Sequence, residues 1–486
     1  MFSTLYVPLL SALAAPEASA TMIGEVMDGN LTAAAQRASR LAERAVDAGE
    51  HSTQASASLR LNADMQAVRG ATGDAEATYR LAQKKLDAPK PDQRALSCRN
   101  AGWQALLRHR VGMALLCFVR VLDEPDIRID WRLEAQSAIA CTLAELGDAN
   151  EALAAVEDIA TLLDSEDIDV RSASAWRDLV ATLRFDLAVQ NELRSSARLD
   201  DHVYWKSATQ DEWSAHREDP AARLHTAAQT ARTVRTPLLA RRVEYLVALR
   251  EVLNGDREAL VDISDHLDWG RQNGLADYVR TTRIEVALAL IASGCSDIAE
   301  RVLEPLQGSH RNGGTSHREL DYAYCAAKTG QARGRNQEAL DLYKRHALIA
   351  TRTLRQNSQA VVSYAGRCAR KPAQLDDVGA RLPAKYRRAY AYLQANLDRD
   401  DLSVHEVAIE IGVTERALQS AFKTFLGLSP TEVIRRERMD RIRTDLLDKD
   451  RSILDTANKW GVRSRSALVS GYRKQFNEAP SETLDR

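Results

Sequence analysis

The chain has 486 residues, too many for one ordinary core, so two or more domains are expected. Its 66 Lys+Arg against 68 Asp+Glu give a formal net charge of −2, which excludes a globally basic nucleic-acid binder and makes any DNA-binding surface local. Hydrophobic residues reach 45% while aromatics stay at 5%, and Ala, Leu, Arg, Glu and Asp dominate, a mixture that favours helices over strands.

Residues 1–20 imitate a signal peptide, with a short apolar run and an Ala-x-Ala-like stretch. The positive n-region is missing, because no Lys or Arg precedes Arg37, and Pro8 interrupts the run. A docked N-terminal helix is expected instead. No stretch approaches the ~20 apolar residues that span a bilayer. Cys98, Cys117, Cys141, Cys295, Cys325 and Cys368 form no C-x-x-C pair, so buried thiols in a reducing cytoplasm are expected rather than zinc or a redox dithiol.

Residues 1–362 read as a helical array. A glycine after an apolar helix, a few polar residues and an alanine on the next helix recur at Gly73–Ala77, Gly147–Ala152, Gly255–Ala259, Gly294–Ala299 and Gly334–Ala339. With Ala114 included, the anchoring alanines are 37, 38, 107, 40 and 40 apart, and Ala188 and Ala227 are candidates for copies in the long gap. Gly can end a helix in a left-handed conformation, and a small Ala lets the next helix pack close. A period near 34–40 with this pattern belongs to stacked helix pairs, and the segment loosely resembles tetratricopeptide repeats, best at Leu146–Leu153 and Gly334–Tyr343. Such an array would offer a concave surface to a protein partner or to self-association. The alternative is a non-repetitive helical domain.

Residues 363–384 read as a linker, marked by Arg370-Lys-Pro372, Gly379 and Leu382-Pro383. Beyond it, residues 385–486 carry 19 Lys+Arg and 16 Asp+Glu, the sign a DNA-binding tail needs. A helix-turn-helix is expected at about 403–426. Ser403-Val-His-Glu406 has the form of a capping box, Val404, Val407, Ala408 and Ile411 face inward, Gly412 makes the turn and Val413 plugs it. Thr414 caps a second helix that buries Leu418, Ala421, Phe422 and Phe425 and leaves Glu415, Arg416, Gln419, Ser420 and Lys423 outward. The arrangement returns at about 452–476, where Ala457, Trp460, Gly461 and Val462 match Ala408, Ile411, Gly412 and Val413. After one inserted residue Ser464, Leu468, Tyr472, Arg473 and Phe476 match Thr414, Leu418, Phe422, Lys423 and Leu426. The exits match as well, Ser429-Pro-Thr-Glu432 against Ala479-Pro-Ser-Glu482. Between the units, residues 431–447 set Arg435, Arg436, Arg438, Arg441 and Arg443 against a seam of Ile434, Met439, Ile442 and Leu446, which predicts a continuous linking helix. Two heads on one rod would enter successive major grooves, as dimers usually do.

Arg438-Met-Asp-Arg-Ile-Arg443 with Leu446-Leu447, and Ser452-Ile453, Gly461-Val462, Ser466, Tyr472-Arg-Lys474, Phe476 and Pro480-Ser481, resemble the AraC/XylS family of bacterial regulators over residues ~385 to 486. The resemblance implies a cytoplasmic transcription factor without a cofactor, usually an activator that contacts RNA polymerase on double-stranded promoter DNA. It implies base contacts from Arg416, Gln419 and Ser420 and from Arg465, Ser466, Val469 and Ser470. Arg suits guanine, Gln adenine and Val the thymine methyl. Thr414, Lys423, Ser464 and Arg473 suit phosphates. The chain departs from the family at Val462 (commonly Phe), Asn477 (Gly), and Ser420 and Ser470 (Arg), and Gly471 lies inside the second reading helix. The length and a tetratricopeptide-like front half resemble the Hrp-type activators of type III secretion genes.

The rival classes are an enzyme and a protein-binding scaffold whose tail binds DNA weakly or non-specifically. No Gly-Lys dipeptide, His-Glu-x-x-His or Gly-x-Ser-x-Gly is present. His310 and His317 flank Asn312-Gly-Gly314, which reads as a polar loop rather than a metal pair.

Overall fold

The computed structural model describes residues 4–47, 52–124, 127–165, 170–208, 220–307, 317–368, 384–426, 428–447, 452–476 and 478–484. Every regular element among them is helical. The chain divides into two compact units, Met1–Ala369 and Arg370–Arg486. No helix among the described residues is long and apolar enough to cross a membrane. The linker-marking residues 370–372, 379 and 382–383 lie outside the described residues, while 363–368 continue the helix Asn336–Cys368.

The first unit is built of helical hairpins whose left-handed turns recur at Gly29, Gly70, His109 and Gly147, and again at Gly255, Gly294 and Gly334, 38–41 residues apart within each series. In six of these seven, an alanine five residues on (Ala34, Ala75, Ala114, Ala152, Ala299, Ala339) is buried, while after Gly255 it is Ala259. Two readings from sequence are corrected. Gly73 lies within the helix Thr72–Lys85 and Ala77 is exposed, so the turn is at Gly70 and the packed alanine is Ala75. Ala188 lies well inside the 25-residue helix Val170–Arg194, with no turn before it. Ala227 is buried in the helix Pro220–Ala231, but the residues preceding that helix are outside the described set. The hairpin turn at Gly29 is not among the repeats read from the sequence, although Gly29–Ala34 has the same spacing.

The first helix is docked within the first unit. All eight residues of the helix Tyr6–Leu13 are buried, against the helices Ala20–Met27, Thr53–Val68, Ile129–Leu146 and Val170–Arg194. Arg60 donates to the Ala14 carbonyl at 2.8 Å, satisfying an acceptor left over at that helix's C-terminus. The helix Asn336–Cys368 returns onto Val111–Leu122, where Asn357 Oδ1 accepts the Gly112 amide at 3.0 Å.

Two buried ion clusters interrupt the apolar core. Arg99 joins Asp64 and Glu134, each at 2.6 Å, and the Trp103 indole donates to Glu134. Arg242 bonds Asp186 and Glu285 while the Tyr6 hydroxyl donates to Asp186 at 2.7 Å, tying the first helix to residues 180 and more positions away. Cys117, Cys141, Cys295 and Cys325 are buried free thiols and Cys98 a half-buried one.

Candidate nucleic-acid interface

Among the described residues of the second unit the first element is the helix Ala384–Ala395, whose Ala389, Tyr390 and Leu393 form a core with Val407, Ala408, Ile411, Leu418 and Phe422. Ser403 caps the helix Val404–Glu410 by accepting the Glu406 amide at 3.2 Å. The reciprocal half of the expected box is not made. Glu406 instead accepts from the Tyr392 hydroxyl at 2.7 Å and from Arg399 at 2.6 Å, and these two hold its carboxyl below the usual carboxylate range. The full capping box lies at the exit, where Glu432 accepts both the amide and the hydroxyl of Ser429, each at 2.8 Å, and Ser429 Oγ accepts the Glu432 amide. Ala479 and Glu482 repeat half of it.

Both turns close alike. Gly412 and Gly461 sit at φ 64° and 70°, and the next residue's amide reaches back to the alanine carbonyl, Val413 to Ala408 at 3.0 Å and Val462 to Ala457 at 2.9 Å. Thr414 Oγ1 accepts the Ala417 amide and Ser464 Oγ the Ala467 amide, so these two of the four residues assigned to phosphate also cap their reading helices, Glu415–Leu426 and Arg465–Phe476.

On the first reading helix Leu418, Ala421 and Phe422 are buried, whereas Arg416, Gln419, Ser420 and Lys423 are exposed together. The side chains of Phe425 and Leu426 lie outside the described residues. Gln419 donates to Glu415 at 3.3 Å, an exposed i,i+4 bond that a base edge would have to replace. On the second, Leu468 and Tyr472 are buried, and Arg465, Ser466, Ser470 and Arg473 are exposed. Val469 is half-buried, and Ser466 Oγ shares a hydrogen bond with Ser464 Oγ at 3.0 Å. Gly471 packs toward the linking helix. A β-carbon there would stand 3.3 Å from the Met439 sulfur, so the bare backbone faces the linking helix and not the reading surface.

The linking helix Pro430–Leu447 serves both heads. Val433 and Ile434 complete the first core, and Met439, Ile442 and Leu446 complete the second with Ala457, Leu468 and Tyr472. Trp460 packs against both cores. Arg438, read from sequence as one of a row of arginines, is half-buried. Its guanidinium donates to the carbonyls of Leu397, Arg399 and Gly461, one side belonging to the first head and the other to the second. Arg463 adds an ion pair to Asp400 at 2.9 Å. The heads are therefore held at one separation by carbonyls that only a fork of fixed donors reaches together. Sequence reasoning missed this role, because nothing in the spacing distinguishes Arg438 from Arg435.

Residues 407–486 match the family model described as a helix-turn-helix domain. Across its whole length the chain is 36% identical to the regulatory protein HrpB of Ralstonia nicotianae, covering 100% of both. Over 21% of the chain it is 29% identical to the XylDLEGF operon transcriptional activator 1 of Pseudomonas putida, covering 31% of that protein. The chain belongs to the AraC/XylS family of transcription regulators. A solved AraC-type transcriptional regulator from Chromobacterium violaceum is 31% identical over 21% of the chain and 89% of its own, with a TM-score of 0.20. This regulator is a DNA-binding protein, and its DNA-binding domain is the carboxy-terminal pair of helix-turn-helix units.

Proposed function

We propose that the regulator enters two successive major grooves of a promoter and activates transcription there. Arg416, Gln419 and Ser420 read one site and Arg465, Ser466, Val469 and Ser470 the other, with Thr414, Lys423, Ser464 and Arg473 on phosphates. The observation that carries the reading is the locked pair of heads, each presenting its assigned residues on one helical face, all of them exposed save the half-buried Val469, with the apolar stripe turned inward. Contact with RNA polymerase and a cytoplasmic location follow from the family resemblance. Control of type III secretion genes in a pathogen follows from the Hrp-type layout, supported by the full-length likeness to HrpB.

In this reading residues 1–362 are an interaction or self-association domain, 363–384 a linker and 385–486 the reading domain.

Footprinting of the full chain on a bound promoter tests the proposal. The expected result is two protected major-groove patches about one helical turn apart, with affinity falling steeply as salt rises. Equal binding to promoter and scrambled DNA at moderate salt overturns it in favour of the scaffold alternative.

A further inference from the structure

Among the described residues His109 is the non-glycine residue at positive φ, 56°, in a hairpin turn whose counterparts are glycines. A β-carbon is disfavoured in that conformation, and such residues persist where the surroundings use them. The His109 ring lies 6.0 Å from the His317 ring, centre to centre. Glu145, in the last turn of the helix Ile129–Leu146, stands beside both. One ligand atom from each of the three falls within 4.8 Å of the other two. His317 Nδ1 is 3.6 Å from Glu145 Oε1, too far for a hydrogen bond, and is buried without a hydrogen-bond partner. The three residues border a cavity of about 40 Å³ that Asp277, Arg280, Arg318 and Asp321 also line. That is room for an ion with a water or two.

We propose that His109, Glu145 and His317 form a binding site for a divalent transition-metal ion, Zn²⁺ foremost. Two imidazoles and one carboxylate suit zinc at bond lengths of about 2.0–2.2 Å, and small side-chain rotations bring ligand atoms 4.8 Å apart or less onto one ion. Calcium and magnesium prefer all-oxygen shells, which this set does not supply. A fourth position remains open to water from the cavity. The ligands come from a hairpin turn, a helix end and the segment at 317, remote in sequence, so the ion clasps three parts of the first unit and its binding adds to that unit's stability.

The test uses the full chain stripped with chelator, titrated calorimetrically with Zn²⁺ and spectroscopically with Co²⁺. One ion per chain is expected, with a visible Co²⁺ band and a raised unfolding temperature. H109G suits the turn, so it should fold at least as well while binding Zn²⁺ about tenfold or more weakly, and H317Q should weaken binding alike. H225Q, on an exposed helix face, should change nothing. Unchanged affinity in both H109G and H317Q, or no binding at micromolar free Zn²⁺, overturns the proposal. DNA binding is not read in this experiment, so its outcome is independent of the promoter reading.

Discussion

Arg416 and Arg242 show how differently one residue type behaves in the two units. Arg416 is exposed on a reading helix, so its removal leaves the fold intact. Arg416→Ala is expected to cost about 1–3 kcal/mol at one or two base positions and to relax specificity there. A uniform loss across all sequences in a binding-site selection would instead mean a phosphate role. Arg465→Ala should relax specificity less, since the second head's neighbours are Ser466, Ser470 and a half-buried Val469; a larger effect than at Arg416 would reverse the ranking of the heads. Arg242, by contrast, is 1% exposed and neutralises Asp186 and Glu285. Arg242→Ala strands two buried carboxylates and should destabilise the first unit by about 3–5 kcal/mol, read as a lower denaturant midpoint.

Within an element, the two interior glycines of the second head predict opposite outcomes. At Gly461 the backbone is at φ 70°, and a β-carbon would meet the Arg438 guanidinium at 2.9 Å. Gly461→Ala therefore strains the turn and pushes on the residue that joins the heads. Gly471 is helical, and its β-carbon would meet only the Met439 thioether, an unbranched side chain able to yield. Gly471→Ala should recover up to about 1 kcal/mol of helix propensity. Thermal unfolding checks the pair: a drop for the first and a rise or no change for the second. A fall at Gly471 as large as at Gly461 would mean that the helix packing there cannot relax.

For the whole molecule, separation of the heads and acid sensitivity are the testable properties. Arg438→Gln removes the shared fork while leaving both reading faces untouched. Its expected signature is a greater loss of affinity for a two-groove site than for either half alone, measured by gel shift on full and halved sites. Acid sensitivity arises in the first unit. Burial, with Arg242 and Arg241 nearby, pushes the His266 imidazole down to about 3. An unfolded histidine takes up its proton at about pH 6.5, so the unfolded chain gains protons first as the pH falls and stability drops between about 6.5 and 3, by up to about 1.4 kcal/mol per pH unit. The unfolding midpoint should fall from pH 7 to pH 5, and less so in His266→Gln. An identical slope in the variant would show that other groups carry the effect.

The sequence by itself determined the doubled helix-turn-helix. Caps, turn glycines, apolar stripes and outward polar faces are local, governed by chain geometry over one or two helical turns, and Thr414, Ser464, Leu418 and Tyr472 stand where their spacing places them. The hairpin period was legible for the same reason, though anchoring on Gly73 rather than Gly70 misplaced one alanine because two glycines lie within a single turn of helix. Only the tertiary structure decided which polar groups find partners at long range. It turned Glu406 from its cap to Arg399 and made Arg438 the joint between the heads. It brought His109, Glu145 and His317 to one cavity and buried all eight residues of the helix Tyr6–Leu13. Each of these depends on where separate helices meet, and a spacing pattern along one helix carries no information about that.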